Sequence, residues 1–280
     1  MHTVKAALEH AMGTIDRVDA HVLMAHVLGV NRAYLAANPM RVLTESEDAR
    51  IDMMVAQRAL GQPVAYLLET REFYGRNFRV GPGVLIPRPE TEVLVDAALA
   101  RMPPRASVAD LGTGSGAIAV TLACERPVAA LTATDTSDAA LEVARANAGA
   151  TGCAHRIEFL KGDWYEPLGA RRFDLIVSNP PYVAAADPHL AQGDLRFEPR
   201  SALTDGSRDG LDSIRSIVAG ASDHLNAEGW LLIEHGYDQS EAVHSLLEAT
   251  GFGEIVSIAD LAGIPRVAGG KMKVSPRRST

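Results

Sequence analysis

The sequence predicts an α/β protein, in which a mainly parallel sheet is covered by helices on both faces and is preceded by a small helical bundle and a β-hairpin linker. Three observations predict it. Residues 1–60 read as helices, with apolar groups at helical spacing. From Ala106 onward, short apolar runs alternate with helical segments, the pattern of a sheet built from crossover units. A glycine loop follows the first of those runs and opens a helix, which puts a ligand at the carboxyl ends of the strands.

In chain order, residues 3–12 place Val4, Ala7, Leu8 and Ala11 on one helical face, and residues 18–28 repeat the pattern with Val22, Ala25 and Leu28. Thr44-Glu45-Ser46-Glu47 has the form of a capping box ahead of a helix ending near Leu60, where Gly61-Gln62-Pro63 stops it. Glu72-Phe73-Tyr74 and Phe78-Arg79-Val80 flank Gly75-Arg76-Asn77 and predict a β-hairpin. Pro87 and Pro89 introduce a helix over 90–101, closed by Pro103-Pro104. Strands are predicted at 107–111, 130–135, 156–160, 173–178, 229–234, 253–258 and 266–274. Helices fit at 116–125, 137–149, 209–222 and 238–249. The expected organisation is a helical domain over 1–70, a hairpin linker over 71–86 and an α/β domain over 87–280.

The totals narrow the class. Hydrophobic residues make up 47% of the 280, yet no stretch reaches the roughly 18 uninterrupted apolar residues of a membrane helix. Met1-His2-Thr3-Val4-Lys5 lacks the charged-then-apolar pattern of a signal peptide. Cys124 and Cys153 point to neither a disulfide framework nor a metal site. A soluble cytoplasmic protein is expected. The net charge of −8 divides into −2 over 1–70, −10 over 71–270 and +4 over the last ten residues. That balance weighs against a broad basic face for nucleic acid. Lys271, Lys273, Arg277 and Arg278 read as a solvated, mobile end.

The chemistry begins after the first α/β strand. Ser107-Val108-Ala109-Asp110-Leu111 runs into Gly112-Thr113-Gly114-Ser115-Gly116-Ala117, where glycines let the backbone turn sharply and approach a ligand while the helix N-terminus offers N–H donors. Asp135 ends the next strand, at the position where a carboxylate accepts hydrogen bonds from both ribose hydroxyls. This much specifies an adenosine-type ligand and leaves dinucleotides and S-adenosylmethionine both open. Asp110 suits a ligand with a cationic amino-acid tail better than a pyrophosphate. Asp163 and Trp164 suit the edge and face of an adenine, although a tryptophan simply packed at a strand end is the plainer alternative. The balance moves toward S-adenosylmethionine.

The most specific local feature is Asn179-Pro180-Pro181-Tyr182, directly after the strand predicted at 173–178. Two prolines remove two backbone donors and hold the chain extended, so carbonyls and an amide side chain point outward beside an aromatic wall. Such a notch suits a planar amide or amino group; an ordinary Asn-Pro turn is the bland reading.

With these residues the chain resembles the class I, Rossmann-like methyltransferases that modify planar nitrogens. More closely, it is similar to the HemK/PrmC-type protein-glutamine N5-methyltransferases that act on peptide chain release factors. The resemblance spans nearly the whole chain. It includes Glu72-Phe73-Tyr74-Gly75, Val84-Leu85-Ile86-Pro87-Arg88-Pro89-Glu90-Thr91-Glu92, Phe197-Glu198-Pro199-Arg200-Ser201-Ala202-Leu203 and Gly210-Leu211. Glu234-His235-Gly236 and Asp260-Leu261-Ala262-Gly263-Ile264-Pro265-Arg266 complete it. Glu69 departs from it, standing where the family's Tyr-Leu-Thr-Gly run has glycine.

The resemblance implies a seven-stranded methyltransferase sheet and S-adenosylmethionine as methyl donor, giving S-adenosylhomocysteine, with no metal. It implies that Gly112, Thr113, Gly114, Ser115 and Gly116 cradle the methionine part, Asp135 holds the ribose, and Asp163 with Trp164 flank the adenine. Asn179 and the Pro180 carbonyl would accept hydrogen bonds from the glutamine NH₂, beside Pro181, and Tyr182 would pack on the amide plane. Arg88, Glu90 and Glu198 would line the same cavity. Release factors 1 and 2 would be the protein substrates, bound partly by the helical domain. A monomer is expected, though not on the strength of the resemblance.

Three rivals are weaker. A DNA adenine-N6 methyltransferase shares both motifs but needs a target-recognition surface and a base-flipping pocket, and no basic-aromatic segment supplies them. A nicotinamide dehydrogenase leaves Asn179 to Tyr182 without a role. A non-catalytic adaptor of the translation machinery has no use for intact motifs. Nine histidines raise a metal question, but His21 and His26 miss the i, i+4 spacing of a helical zinc pair, and His235 reads as a strand-end hydrogen-bonder.

Overall fold

Alternation of apolar side chains along the central strands feeds two separate cores, and this positions everything else. In the computed structural model, which describes residues 2–273, Val108, Leu175 and Val177 enter one buried cluster. Their neighbours Ala109, Leu111 and Ile176 enter another on the opposite face, as the period of two along a strand requires.

The chain divides into two units, Met1–Thr70 with Ala191–Phe197, and Arg71–Leu190 with Glu198 onward. The smaller unit holds α1 (Val4–Met12), α2 (Arg17–Leu28), α3 (Arg32–Ala37), α4 (Glu45–Ala59) and α5 (Val64–Leu68). Side-chain caps start four of them: Thr3, Asp16, Asn31 and Thr44, the last within a complete capping box with Glu47. Val4, Leu8, Met24, Leu35 and Ile51 form its core. Within this unit Arg58 bridges Asp19 at 2.6 Å and Asp194 at 2.8 Å. Arg196 donates to the Leu60 carbonyl at 2.6 Å.

The larger unit contains β1 (Thr70–Phe73), β2 (Arg76–Arg79), α6 (Glu92–Arg101), β3 (Ser107–Leu111), α7 (Ala117–Glu125), β4 (Ala130–Asp135) and α8 (Asp138–Ala150). It continues with β5 (Ile157–Lys161), β6 (Phe173–Ser178), α9 (Arg200–Leu203), α10 (Asp212–His224), β7 (Leu225–Glu234), α11 (Ser240–Ala249), β8 (Phe252–Ala259) and β9 (Pro265–Met272). The seven-stranded sheet has the order β5-β4-β3-β6-β7-β9-β8. Strands β3 to β7 are parallel, and β9 pairs antiparallel with both β7 and β8. Order reverses between β3 and β6, so the carboxyl ends of β3, β4, β5 and β6 converge on one crevice. Two cysteines stand as free thiols.

Several expectations shift. The hairpin turns at Tyr74 and Gly75, tighter than predicted, with both residues at positive φ. Its Phe73 and Phe78 are fully buried in the larger unit's core beside Leu94 and Leu122, so it is packed into that unit rather than left as a bare linker. Helix α6 begins only after a 3-10 turn over Pro89–Thr91. Strand β7 starts at Leu225, four residues before the predicted 229, because Glu228 at φ 67° and a register shift interrupt the alternation that marks a strand. Lys271 lies in β9 and pairs with Glu228 and Glu254, so it is no part of a free tail; the predicted residue 274 and Arg277 and Arg278 lie outside the described residues. Among the described residues no helix is long and apolar enough to cross a membrane.

Candidate active site

The site is built first from the turn after β3. Gly112, Gly114 and Gly116 all have positive φ, 73°, 55° and 80°, a conformation that other residues adopt at a cost. Close approach adds a second constraint: a Cβ on Gly116 would stand 3.0 Å from that of Ala144, and one on Gly112 would stand 3.1 Å from the Trp164 ring. The Gly112 and Thr113 N–H groups donate to the Thr134 carbonyl at 2.9 Å. Asp110, fully buried at the end of β3, accepts from the Thr113 hydroxyl at 2.7 Å and the Ala119 N–H at 3.2 Å. Burial pushes its carboxyl up to about 6. Asp110 therefore faces its own loop and does not line the cavity, which corrects the expectation that it meets a ligand's cationic tail.

The turn opens onto a cavity of about 360 Å³, lined by Gly112 to Ser115, Asp135, Asp163, Trp164, Asn179, Pro181 and also by Val84, Leu85 and Pro87. Asp135 accepts from the Gly114 N–H with one oxygen and from the Ser137 N–H with the other, both at 2.9 Å. Each carboxylate oxygen keeps a second lone pair for a ribose hydroxyl. Burial raises its pKa, and these N–H donors counter the rise. Asn147, buried in α8, donates to the Ser115 carbonyl at 2.8 Å and exchanges two hydrogen bonds with the Arg79 backbone. It ties the glycine loop to β2, a role no local pattern announced.

At the end of β6 stands Asn179. Its Nδ2 donates to the Thr91 hydroxyl at 3.1 Å, which leaves Oδ1 as the acceptor offered to the cavity. Pro180 is buried, and Pro181, not Pro180, appears on the cavity wall. Tyr182 also lies off that wall; its hydroxyl donates to Glu234 Oε1 at 3.2 Å, and burial raises its pKa. Gln239 holds the Tyr182 carbonyl at 2.9 Å. Gly210 lies so close that a Cβ there would stand 2.1 Å from that carbonyl oxygen, a physical reason for glycine in the Gly210-Leu211 pair.

Arg88 and Glu198, expected as cavity groups, bind each other. Arg88 Nη2 donates to Glu198 Oε1 at 2.5 Å, and Glu198 Oε2 accepts the Ile86 N–H at 2.9 Å. Neither reaches the cavity wall; they fasten the strip that carries Leu85 and Pro87. Glu90 is half-buried and faces Glu234. Glu234 itself, at the end of β7, is 1% exposed. Burial, with Glu90 adding to it, pushes its carboxyl up to about 7. Arg266 nearby is held by Asp260 at 3.0 Å.

The cradle fits S-adenosylmethionine: glycines that allow close approach, a carboxylate with a lone pair spare on each oxygen, an indole against the loop, and the Asn179 side chain on the same wall. Among the described residues no group of three side chains suits a metal ion.

Known proteins resemble the chain along nearly its whole length. Residues 89–195 match the family described as Methyltransferase small domain, and residues 1–68 match the PrmC N-terminal domain. A release factor glutamine methyltransferase of Xylella fastidiosa is 50% identical over 268 residues, covering 95% of this chain and 97% of that protein. One from Burkholderia pseudomallei is 51% identical over 265 residues, covering 92% and 93%. The crystal structure of a methyltransferase from Pyrococcus furiosus superposes with a TM-score of 0.56 over 82% of this chain and all of that one, at 17% identity, and shares the fold.

Proposed function

Because the chain belongs to the release factor glutamine methyltransferase family, we propose that it methylates the side-chain amide nitrogen, N5, of the glutamine in the Gly-Gly-Gln motif of peptide chain release factors 1 and 2. The observation that carries this reading is the orientation of Asn179, whose Nδ2 is engaged by Thr91 and whose Oδ1 is left to accept from an NH₂ group on the wall of the glycine-loop cavity.

S-adenosylmethionine supplies an electrophilic methyl group and leaves as S-adenosylhomocysteine. The protein's task is to make a poor nucleophile adequate and to aim it. An amide lone pair is delocalised into its carbonyl. Asn179 Oδ1 and the Pro180 carbonyl, accepting from the two N–H groups, push density back onto nitrogen and turn the lone pair toward the donor. Alignment of this kind supplies much of the acceleration. The same two oxygens stabilise the positive charge that develops on nitrogen. The proton becomes acidic after transfer, so no strong base is required. Gly112 to Gly116 and Asp135 hold the donor, with Asp163 and Trp164 at its adenine.

The reading includes a monomeric enzyme acting in the cytoplasm, with neither metal nor nucleic acid required. Relatives named for glutamine favour it over an adenine acceptor. The test is mass spectrometry of an intact release factor after incubation with the enzyme and S-adenosylmethionine. One methyl on the glutamine of the Gly-Gly-Gln loop is expected; an unmodified loop, with enzyme that still binds the donor, would sink the release-factor assignment.

A further inference from the structure

A primary amide has two ends of nearly equal size, so shape alone does not tell Asn179 which to turn toward its substrate. Its Nδ2 lies 3.1 Å from Thr91 Oγ1, but a hydroxyl can donate or accept and by itself accommodates either orientation. What decides the orientation is where the hydroxyl sends its own proton. Thr91 is 4% exposed, on the 3-10 turn whose N–H is already spent on the Arg88 carbonyl at 3.1 Å. Its hydroxyl interacts with Glu234. That carboxylate accepts from Tyr182 through Oε1, while Oε2 is buried and, among the described residues, has no hydrogen-bond partner, so it is the acceptor left open to the Thr91 proton.

Above its raised pKa of about 7 the Glu234 carboxyl is ionised and only accepts. Once the Thr91 proton points at Glu234, lone pairs of Oγ1 face Asn179, and only the NH₂ end can meet them. The polarity of one buried carboxylate is thereby passed through a hydroxyl to the substrate-facing amide. The same carboxylate anchors the Tyr182 ring, so both faces of the acceptor notch are referred to one fixed group.

We propose that Thr91 and Glu234 are positioning residues that fix Asn179 with its carbonyl oxygen outward and so make the site select an amide over a carboxylate. The inference rests on Asn179 being the acceptor clamp. An outward oxygen attracts the N–H groups of glutamine and repels a glutamate oxygen. A freed Asn179 would turn its NH₂ outward and welcome the wrong acid. Replacing Glu234 by glutamine goes further: with Tyr182 still donating to the new amide oxygen, the amide NH₂ faces Thr91, and the polarity of the chain reverses.

The experiment uses the full-length enzyme, S-adenosylmethionine and two intact release factors, one natural and one carrying glutamate in place of the loop glutamine as an inhibitor. T91V removes the hydroxyl at constant volume, T91S keeps it, and E234Q removes the acceptor-only group. T91V and E234Q are expected to lower kcat by about tenfold or more while S-adenosylmethionine affinity stays within about threefold. Preference for glutamine over the glutamate inhibitor should narrow by about tenfold. T91S should restore most of the rate, and T91V added to E234Q should cause no further loss. Wild-type kcat in T91V, equal damage in T91S and T91V, or unchanged discrimination in all variants would overturn the proposal. Failure of the parent reading looks different: the wild-type enzyme itself would leave the release factor unmodified.

Discussion

The cofactor half and the acceptor half of the site each stand on one buried carboxylate, and the two are wired differently. Asp110 ends β3 and Glu234 ends β7; each is at most 1% exposed, and each has one oxygen without a hydrogen-bond partner among the described residues. Asp110 holds groups three and nine residues downstream, so its loop is a local staple. Glu234 holds Tyr182 from 52 residues away and acts on Asn179 through Thr91, itself 88 residues from Asn179. A local staple shapes a loop that can form with its own strand. A long-range one makes acceptor geometry conditional on the whole sheet being assembled.

The largest expected effect lies at the end of the second network. N179A should abolish methyl transfer, by about 10³-fold or more, while S-adenosylmethionine binding measured by calorimetry stays within about tenfold. A collapse of cofactor affinity together with activity would remove the distinction between the halves. D110A should do the reverse. Stranding the Thr113 hydroxyl and the Ala119 N–H costs about 1–3 kcal/mol for each unpaired group. The dissociation constant for S-adenosylmethionine should rise by about tenfold or more, with a smaller change in kcat at saturating donor. Unchanged affinity in D110A would mean that the loop does not depend on its staple.

A subtler comparison uses pH. The Glu234 carboxyl is raised from 4.5 to about 7 in the folded protein, first by burial. A raised carboxyl favours its neutral form in the native state, so the stability it contributes is present below about pH 4.5 and is lost as pH rises through about 7. E234Q cannot ionise. Its melting temperature relative to wild type should therefore be higher at pH 8 than at pH 5. Equal differences at the two pH values would show that the carboxylate is not held against its solvation preference.

These networks also explain what the sequence could reveal. Strands at 107–111, 130–135 and 173–178 match the observed bounds because an uninterrupted apolar run is a local property. The capping box at Thr44, the glycine turn and Asn179-Pro180-Pro181-Tyr182 are equally local. Thr91 and Glu234 stand in runs that carry the resemblance and Asn147 in none, but no local pattern names their partners: each acts on a group brought near only by folding. Helices α3 and α5, six and five residues long, are too short for a periodic pattern to register. The same limit misassigned Arg88 and Glu198, whose pairing with each other is a matter of tertiary placement.

The smallest predicted effect concerns Glu69. It caps α5 in the left-handed region at φ 56°, where glycine is the favoured residue. E69G should stabilise the protein by about 1 kcal/mol, read as a shift of the denaturation midpoint with no change in kcat. A neutral or destabilising result would mean that the glutamate side chain holds a contact worth the strain.

The assignment of Ala191–Phe197 to the helical unit has a consequence for how this protein can be taken apart. The backbone passes between the two units three times, at 70–71, at 190–191 and at 197–198. A fragment ending at Thr70 would lack Asp194, one of the two carboxylates that Arg58 binds, and Arg196, which caps the Leu60 carbonyl. The helical unit is thus not a detachable cassette in the genetic sense. Grafting it onto another enzyme requires two insertions in register, and a single proteolytic nick near residue 70 cuts the unit in two, leaving its 191–197 segment on the larger fragment.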